Sequence, residues 1–232
     1  SCHIEVLYIQ SDPRDTIPLL GEGMSVTMIE DMIKIAETQG NEKALENQNI
    51  FYQIVSNLSL PVIDDPKLTQ ASAIWSKVVG RNDEITARRG RLSDIIVVNH
   101  PATSSDVMET LIFNSALFDS GRPIMVLQPL EKKLVINPLS RDCQIGFFWN
   151  GSVQSVKALS AAIELFNKAK KITIMTAESD QISLAQVPEL VNYIGRHGVV
   201  ASSRSFETGR GQSIGASLLA ECSLKRVNFL VM

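Results

Sequence analysis

The stretch Gln144–Ser152 reads QIGFFWNGS, and it decides the fold of this chain. Its apolar first part has the pattern of a buried β-strand, and Asn150-Gly151 has the composition of a tight turn. Ser152 is a good N-cap residue for the helix that follows. The apolar positions of that helix fall at helical spacing: Val156, Leu159, Ile163 and Phe166. A strand, a turn and a capped helix in this order open a βα unit, the building block of parallel sheets.

Strands and helices continue to alternate after this stretch. The predicted strands are Ile172–Ala177, Val199–Phe206 and Asn228–Met232, and the predicted helices are Gln186–Gly195 and Gln212–Lys225. Gly209–Gly215 is rich in glycine, but its spacing differs from the dinucleotide-binding fingerprint. We therefore interpret it as a loop that leads into the second of these helices.

The residues before Gln144 show the same alternation. The predicted strands are His3–Ile9, Ala73–Val79, Asp94–Asn99 and Pro123–Gln128. The predicted helices are Val26–Leu58 with a weak interruption at Gly40-Asn41, Asp83–Arg91, and a helix that is capped by Ser104 or Ser105 and runs to Phe118. Leu130–Arg141 is predicted to connect the two halves.

The two halves of the chain can be laid over one another. The matching strands are His3–Ile9 with Ile172–Ala177, Ala73–Gly80 with Val199–Phe206, and Asp94–Val98 with Asn228–Met232. We interpret this match as a tandem duplication. Strands joined through helices run parallel with right-handed crossovers, and such sheets bind ligands at the carboxyl ends of their strands. The predicted fold class is α/β, with two doubly wound, parallel-sheet, Rossmann-like repeats in tandem.

Each half lacks elements that the other half shows. The first half has no counterpart of the opening strand and helix, and the second half has no counterpart of the closing helix and strand. The chain does not begin with Met, and it ends within the apolar run Val227–Met232. We therefore expect the natural protein to continue beyond both ends of this sequence.

Composition and charge restrict the classes of protein to which this chain could belong. The 232 residues carry a net charge of −3, which gives no electrostatic reason to expect a nucleic-acid partner. No apolar run approaches the length of about 18 residues that a membrane span needs, so no membrane partner is expected. Cys2, Cys143 and Cys222 lack metal-ligand spacing, and their odd number is typical of a reducing compartment. We predict a cytoplasmic protein without a metal site.

Several stretches resemble the universal stress protein family in its tandem, two-repeat form. They are Ile145–Ser152, Ser155–Lys170, Lys171–Ser179 and Gly215–Met232 in the second half, with weaker likeness at Ala87–Asn99 and Gly121–Gln128 in the first. The resemblance implies an adenine nucleotide α-hydrolase-like fold. It also implies a first repeat over residues 1–138 and a second over residues 143–232.

The resemblance further implies that the protein could bind ATP or AMP in its second repeat. Members that bind ATP carry a glycine-rich loop after the fourth strand, where backbone amides hold the phosphates. In the first repeat that place is taken by Asn99–Ser105, which contains no glycine, and in the second repeat the loop would follow Met232. The family positions that remain for cofactor binding are Asn150, Gly151, Ser152, Met175 and Thr176.

Simpler interpretations of these residues stay open. Asn150 stands where the family has an acidic residue, so Asn150–Ser152 could be only a turn and helix cap. Met175 could be only a core residue. His100 lies at a predicted strand end, where a solvent-facing loop histidine is the commoner outcome.

Three function hypotheses follow from the sequence. The first is a non-catalytic stress-response protein of the universal stress type; no set of catalytic residues is evident, although a weak ATPase is left open. The alternative is a degenerate scaffold that binds no nucleotide and acts through dimerisation or partner proteins, with Val26–Leu58 as a homodimer surface. The third is an enzyme of the wider nucleotide-using α/β group, such as an adenylating or flavin-linked protein, which rests on the fold alone.

Overall fold

The computed structural model describes residues 2–14, 25–65, 69–101, 107–127 and 143–232. The chain divides into two compact units, Ser1–Gln128 and Pro129–Met232. Every strand pair among the described residues is parallel, so the predicted α/β class with parallel sheets is confirmed. The connector Leu130–Arg141, the helix cap at Ser104 or Ser105 and the repeat boundary at residue 138 lie outside the described residues.

The first unit alternates strands with helices as predicted. Its elements are β1 (His3–Gln10), α1 (Val26–Asn57), β2 (Ser72–Val79), α2 (Asn82–Gly90), β3 (Ile96–Asn99), α3 (Val107–Phe118) and β4 (Ile124–Leu127). The described strands form two separate two-stranded sheets, β1 with β2 and β3 with β4. Gly121, which lies between α3 and β4, has a φ of +67°, a left-handed conformation that glycine adopts without strain.

Helix α1 is continuous over 32 residues, and Gly40 does not break it. Ser25 caps its start, because the Ser25 hydroxyl accepts a hydrogen bond from the Met28 amide at 3.3 Å. The glycine at position 40 makes room for β1: a Cβ there would lie 2.5 Å from Nε2 of Gln10. Phe51 and Val55 of this helix pack with Ala73 of β2 in a small apolar core. The weak interruption in the sequence therefore marks a close contact.

The second unit contains one four-stranded parallel sheet in the order β7-β6-β5-β8. Its elements are β5 (Gln144–Phe148), α4 (Val153–Phe166), β6 (Lys171–Ala177), α5 (Gln181–Arg196), β7 (Ala201–Phe206), α6 (Ile214–Leu224) and β8 (Phe229–Val231). Strand β5 is central, and Ile145 and Phe147 on it are fully buried. The loop interpretation of Gly209–Gly215 is confirmed up to Ser213, which caps α6.

Helix α5 begins five residues earlier than the sequence indicated. The prediction placed its start at Gln186, two residues before Pro188. In the structure Asp180 is the N-cap, and its carboxylate accepts a hydrogen bond from the Ser183 amide at 3.0 Å. Pro188 therefore lies inside the helix. The start predicted at Gln186 is wrong because the cap stabilises the additional turn.

No helix in the described parts of the chain combines the length and the apolar character that crossing a membrane requires.

Candidate functional site

The helices of the second unit change faces of the sheet between β5 and β8. Leu159 of α4 and Leu190 of α5 belong to one apolar core with Ile145 of β5. Leu218 of α6 packs instead on the other face, in a core with Met175 of β6. Because α6 is the crossover that leads from β7 to β8, the order of the strands across the sheet reverses between β5 and β8. The carboxyl ends of β5 and β8 thus form the switch point at which parallel sheets bind ligands.

The turn Asn150–Ser152 occupies one side of this switch point. The Asn150 Oδ1 atom accepts hydrogen bonds from the Ser152 amide at 3.1 Å and from the Ser152 hydroxyl at 2.6 Å. The same hydroxyl accepts a hydrogen bond from the Ser155 amide at 3.2 Å and so caps α4. The predicted cap at Ser152 is therefore confirmed. The amide nitrogen of Asn150 has no acceptor among the described residues, so this side chain offers a ligand a donor.

Gly151 is confined by the first turns of α5. Its φ is +66°, a left-handed conformation that favours glycine. A Cβ at this position would lie 3.1 Å from Oε1 of Gln186 and 3.2 Å from Oγ of the buried Ser183. Position 151 therefore needs glycine for its conformation and for space.

The side chains of Met175 and Thr176 point to opposite faces of the sheet, because successive residues of a strand alternate. Met175 is fully buried, with its sulfur 3.7 Å from the Cys222 sulfur in the core below α6. Its backbone carbonyl accepts a hydrogen bond from the Trp149 amide at 2.9 Å. The structure thus places the Met175 side chain in the core, and its contact with a ligand stays a prediction.

Thr176 and Trp149 each carry a buried polar atom that has no hydrogen-bond partner in the described parts of the chain. The register pairs Phe148 with Met175, so Trp149 is level with Thr176 on the neighbouring strand. Both side chains point to the face of the sheet that α4 and α5 cover. Trp149 packs against the core on that face, which contains Ile174, and Thr176 is two residues after Ile174 on β6. The Trp149 Nε1 and Thr176 Oγ1 atoms are buried and have no hydrogen-bond partner among the described residues. Buried polar groups are normally satisfied, so these two atoms suit a water molecule or a ligand.

Trp149 was missed by the sequence reasoning. The apolar run QIGFFW made it look like one more core residue, although its indole nitrogen is a donor that needs an acceptor when buried. The available signal was its position: it is the last residue before the turn Asn150–Ser152, at the carboxyl end of a central strand.

Asp180, at the N-terminus of α5 beside this turn, carries a stabilised negative charge. Hydrogen bonds from the side chain and the backbone amide of Ser183 hold the pKa of its carboxyl group below the ordinary value of 3.8. The carboxylate thus already compensates the positive end of the α5 dipole. A phosphate group would be repelled there, so the N-terminus of α4 is the better place for an anion.

Two cavities of the first unit contain none of the predicted site residues. One of about 350 Å³ lies between α2 and α3, and both acids and bases line it, including Asp83, Asp119 and Arg88. A smaller one of about 150 Å³ lies at the ends of β1 and β2, beside Ser11 and Asn82. His100 is exposed at the end of β3, with its ring 5.9 Å from the Phe113 ring.

Comparison with known proteins shows a likeness of fold. No family model matches the chain, and no curated protein matches it in sequence. The crystal structure of a universal stress protein from Archaeoglobus fulgidus DSM 4304 matches 99% of this chain and 74% of its own, with a TM-score of 0.66 and 16% sequence identity. At this identity the likeness concerns the fold. This chain therefore has the α/β fold of a universal stress protein, as its sequence predicted.

Proposed function

We propose that this chain is a non-catalytic, universal stress protein-like stress-response protein that binds ATP or AMP in its second unit. The observation that carries the proposal is the placement of Asn150, Gly151 and Ser152 at the switch point between β5 and β8, at the start of α4. Helix N-termini bind anions, because their first amide groups point outward with a partial positive charge. The nucleotide phosphates would lie there.

The buried atoms without partners support a polar ligand at the same edge of the sheet. Trp149 Nε1 is a donor, and Thr176 Oγ1 can donate or accept. The free amide nitrogen of Asn150 adds a donor where universal stress proteins have a carboxylate. We therefore expect it to hydrogen bond to an acceptor atom of the base or ribose, and we expect weaker binding than a carboxylate gives to ribose hydroxyls.

We also propose that the two units are repeats of one ancestral domain, with residues 1–138 and 143–232 as their bounds, in a cytoplasmic protein. The shared order of parallel strands and helices in the two units supports this proposal. The stress-response role is supported only by the name of the solved universal stress protein that shares this fold.

Nucleotide titration tests the proposal. A Trp75→Phe variant leaves Trp149 as the one tryptophan, because the chain contains two. Millimolar ATP or AMP should change Trp149 fluorescence and raise the melting temperature of the second unit, whereas GTP should do so less. Thr176→Val removes the orphan hydroxyl at nearly constant volume and should weaken binding several-fold. Ser160→Ala, at an exposed position of α4, is the matched control.

No response to either adenine nucleotide would contradict nucleotide binding. Equal affinity in the Thr176→Val and Ser160→Ala variants would contradict a contact between the nucleotide and Thr176. Phosphate release measured in the same titration tests the non-catalytic role. Sustained hydrolysis of ATP that is lost in Asn150→Ala, with unfolding unchanged, would favour the enzyme hypothesis.

A second proposal, homodimerisation through α1, rests on the apolar surface of that helix. Val26, Met28, Ile35, Leu45, Ile50 and Ile54 are all exposed. Exposed apolar residues of a helix can form a surface through which proteins associate. Light scattering should give the mass of a dimer, and Ile50→Asp with Ile54→Asp should reduce it to the 25.5 kDa of one chain. A monomeric parent chain would refute the proposal.

A further inference from the structure

Helices α2 and α3 of the first unit border a cavity of about 350 Å³ that shares no residue with the proposed nucleotide site. Ala87 of α2 and Ser115 of α3 line this cavity and are buried, so they form its floor. Because both side chains are small, the two helices leave space between them. The volume is in the range of about 300–1,000 Å³ that is typical of small-molecule sites.

Four charged residues form the rim of this cavity. Glu84, Arg88 and Arg91 follow helical spacing along α2 and its C-terminal end, so they share one face of that helix. Asp119 directly follows α3, four residues after Ser115, and lines the cavity from the other side. All four residues are exposed, so their charged groups are accessible to a molecule from solvent.

These four charges do not pair with one another. No ion pair joins any two of them within the part of the chain that the structure describes. Glu84 and Arg88 have the spacing and order at which helical side chains commonly pair, yet they stay apart. A fifth charged residue of the lining, Asp83, is already compensated by Arg81 at 2.7 Å. The cavity therefore offers a ligand two positive and two negative groups.

A positive and a negative group lie side by side at one end of the cavity. Arg91 Nε donates a hydrogen bond to the backbone carbonyl of Asp119 at 3.2 Å. The terminal amino groups of Arg91 and the Asp119 carboxylate have no partner among the described residues. The Ser115 hydroxyl donates to the Asp83 carbonyl at 2.6 Å, and its oxygen can still accept. This end thus suits a carboxylate and an ammonium group that lie close together.

We propose that this cavity binds a free α-amino acid with a basic side chain. Arg88 and Arg91 bind its carboxylate, because guanidinium groups form paired hydrogen bonds with carboxylates. Asp119 and Ser115 accept hydrogen bonds from its α-ammonium group. Glu84 pairs with the cationic end of its side chain. Seven residues separate Glu84 from Arg91, roughly 10 Å along a helix, which an extended basic amino acid bridges together with the reach of these two side chains.

The charges of the lining favour this ligand class over simpler ions. A lone anion such as phosphate would be attracted by Arg88 and Arg91 but repelled by Asp119. A diamine would be attracted by Glu84 and Asp119, and it would leave both arginines without an anion. An acidic amino acid would bring its side-chain carboxylate toward Glu84. A basic amino acid gives each of the four groups a partner of opposite charge.

An NMR titration of the full 232-residue chain with L-lysine and L-arginine tests the proposal. Both amino acids should shift the backbone amide signals of Ala87 and Ser115. Cadaverine, which lacks the carboxylate, and Nα-acetyl-lysine, which lacks the α-ammonium charge, should each bind about tenfold more weakly, because each loses hydrogen bonds to charged groups. L-glutamate should bind more weakly for the reason given above.

Variants of the rim test the assigned contacts. Arg88→Gln and Asp119→Asn should each weaken L-lysine binding about tenfold. The matched controls are Arg210→Gln and Asp31→Asn, which remove the same charges at exposed positions outside the cavity and should leave binding unchanged. Thermal unfolding checks that all four variants fold as the parent does.

Several outcomes would overturn the proposal. Absence of amide shifts with millimolar L-lysine and L-arginine would show that the cavity binds no basic amino acid. Equal affinity for L-lysine and cadaverine would show a simple cation site, and equal affinity for phosphate would show a simple anion site. Shifts confined to the second unit, or binding that survives both Arg88→Gln and Asp119→Asn, would place the amino acid elsewhere. None of these outcomes depends on whether the second unit binds a nucleotide.

Discussion

Replacing Gly151 with alanine should lower the free energy of unfolding of the second unit by about 2 kcal/mol. The perturbation adds one methyl group at the turn between β5 and α4. Gly151 has a φ of +66°, and a Cβ added there would lie within 3.2 Å of both Gln186 Oε1 and Ser183 Oγ. The substitution therefore acts through backbone strain and through a steric conflict with α5.

The two contributions can be estimated separately. A left-handed alanine costs roughly 1–2 kcal/mol, and the loss of glycine freedom in the unfolded chain offsets about 0.4–1 kcal/mol of this. The net strain is then about 1 kcal/mol. Overpacking costs roughly 1–3 kcal/mol, and we take the lower end because the Gln186 side chain can move away. The buried Ser183 cannot move in this way.

Gly198→Ala is the matched control in the same unit. Gly198 has a φ of +78°, but nothing lies within 4 Å of its place for a Cβ. It should cost only the strain, about 1 kcal/mol. Urea unfolding followed by Trp149 fluorescence in the Trp75→Phe background measures both variants in the second unit alone. Adding Gln186→Ala should recover part of the loss in Gly151→Ala and none in Gly198→Ala.

Equal losses in the two glycine variants would refute the reasoning, because they would mean that α5 does not confine the turn. A smaller loss in Gly151→Ala than in Gly198→Ala would have the same meaning. A loss of about 1 kcal/mol beyond the control would support the close approach of turn and helix that the structure describes.

Two further predictions concern ionisable groups. Asp180→Ala should cost about 1 kcal/mol at neutral pH through loss of the α5 cap. Hydrogen bonds from Ser183 lower the pKa of Asp180, so the Asp180 carboxylate stabilises the folded protein above the ordinary value of 3.8. This stabilisation is lost as the pH falls through the lower pKa of the folded state. In urea unfolding, the free energies of unfolding of variant and parent should therefore converge below pH 3.8. Cys2 is exposed, and burial raises the pKa of Cys143 and Cys222, so a thiol reagent should modify Cys2 in the native protein and the other two only in denaturant. A second thiol that reacts quickly in the native protein would contradict this.

Much of the second unit could be predicted from local sequence. The apolar run of β5 and the cap at Ser152 define strand, turn and helix through residues that are neighbours in the chain. The start of α5 was misjudged because the cap at Asp180 is a weak local signal. Capping strength depends on whether the side chain meets a free amide, which the structure shows and the sequence does not.

The candidate site was predictable in place but not in detail. Strand order put Asn150–Ser152 at the carboxyl end of a strand, and the structure puts that strand at the switch point. Met175 and Thr176 are adjacent in sequence, yet one lies in the core under α6 and the other carries a buried hydroxyl on the opposite face. The unsatisfied Trp149 nitrogen depends on what packs around it, and that comes from distant parts of the chain.

The sequence by itself determined the order and type of the elements and the parallel direction of the strands, because apolar periodicity and caps act between near neighbours. Tertiary structure decided which polar atoms lack hydrogen-bond partners among the described residues and why position 151 must be glycine. These properties arise where segments far apart in sequence meet, so they depend on which segments are present to pack and on how closely they approach.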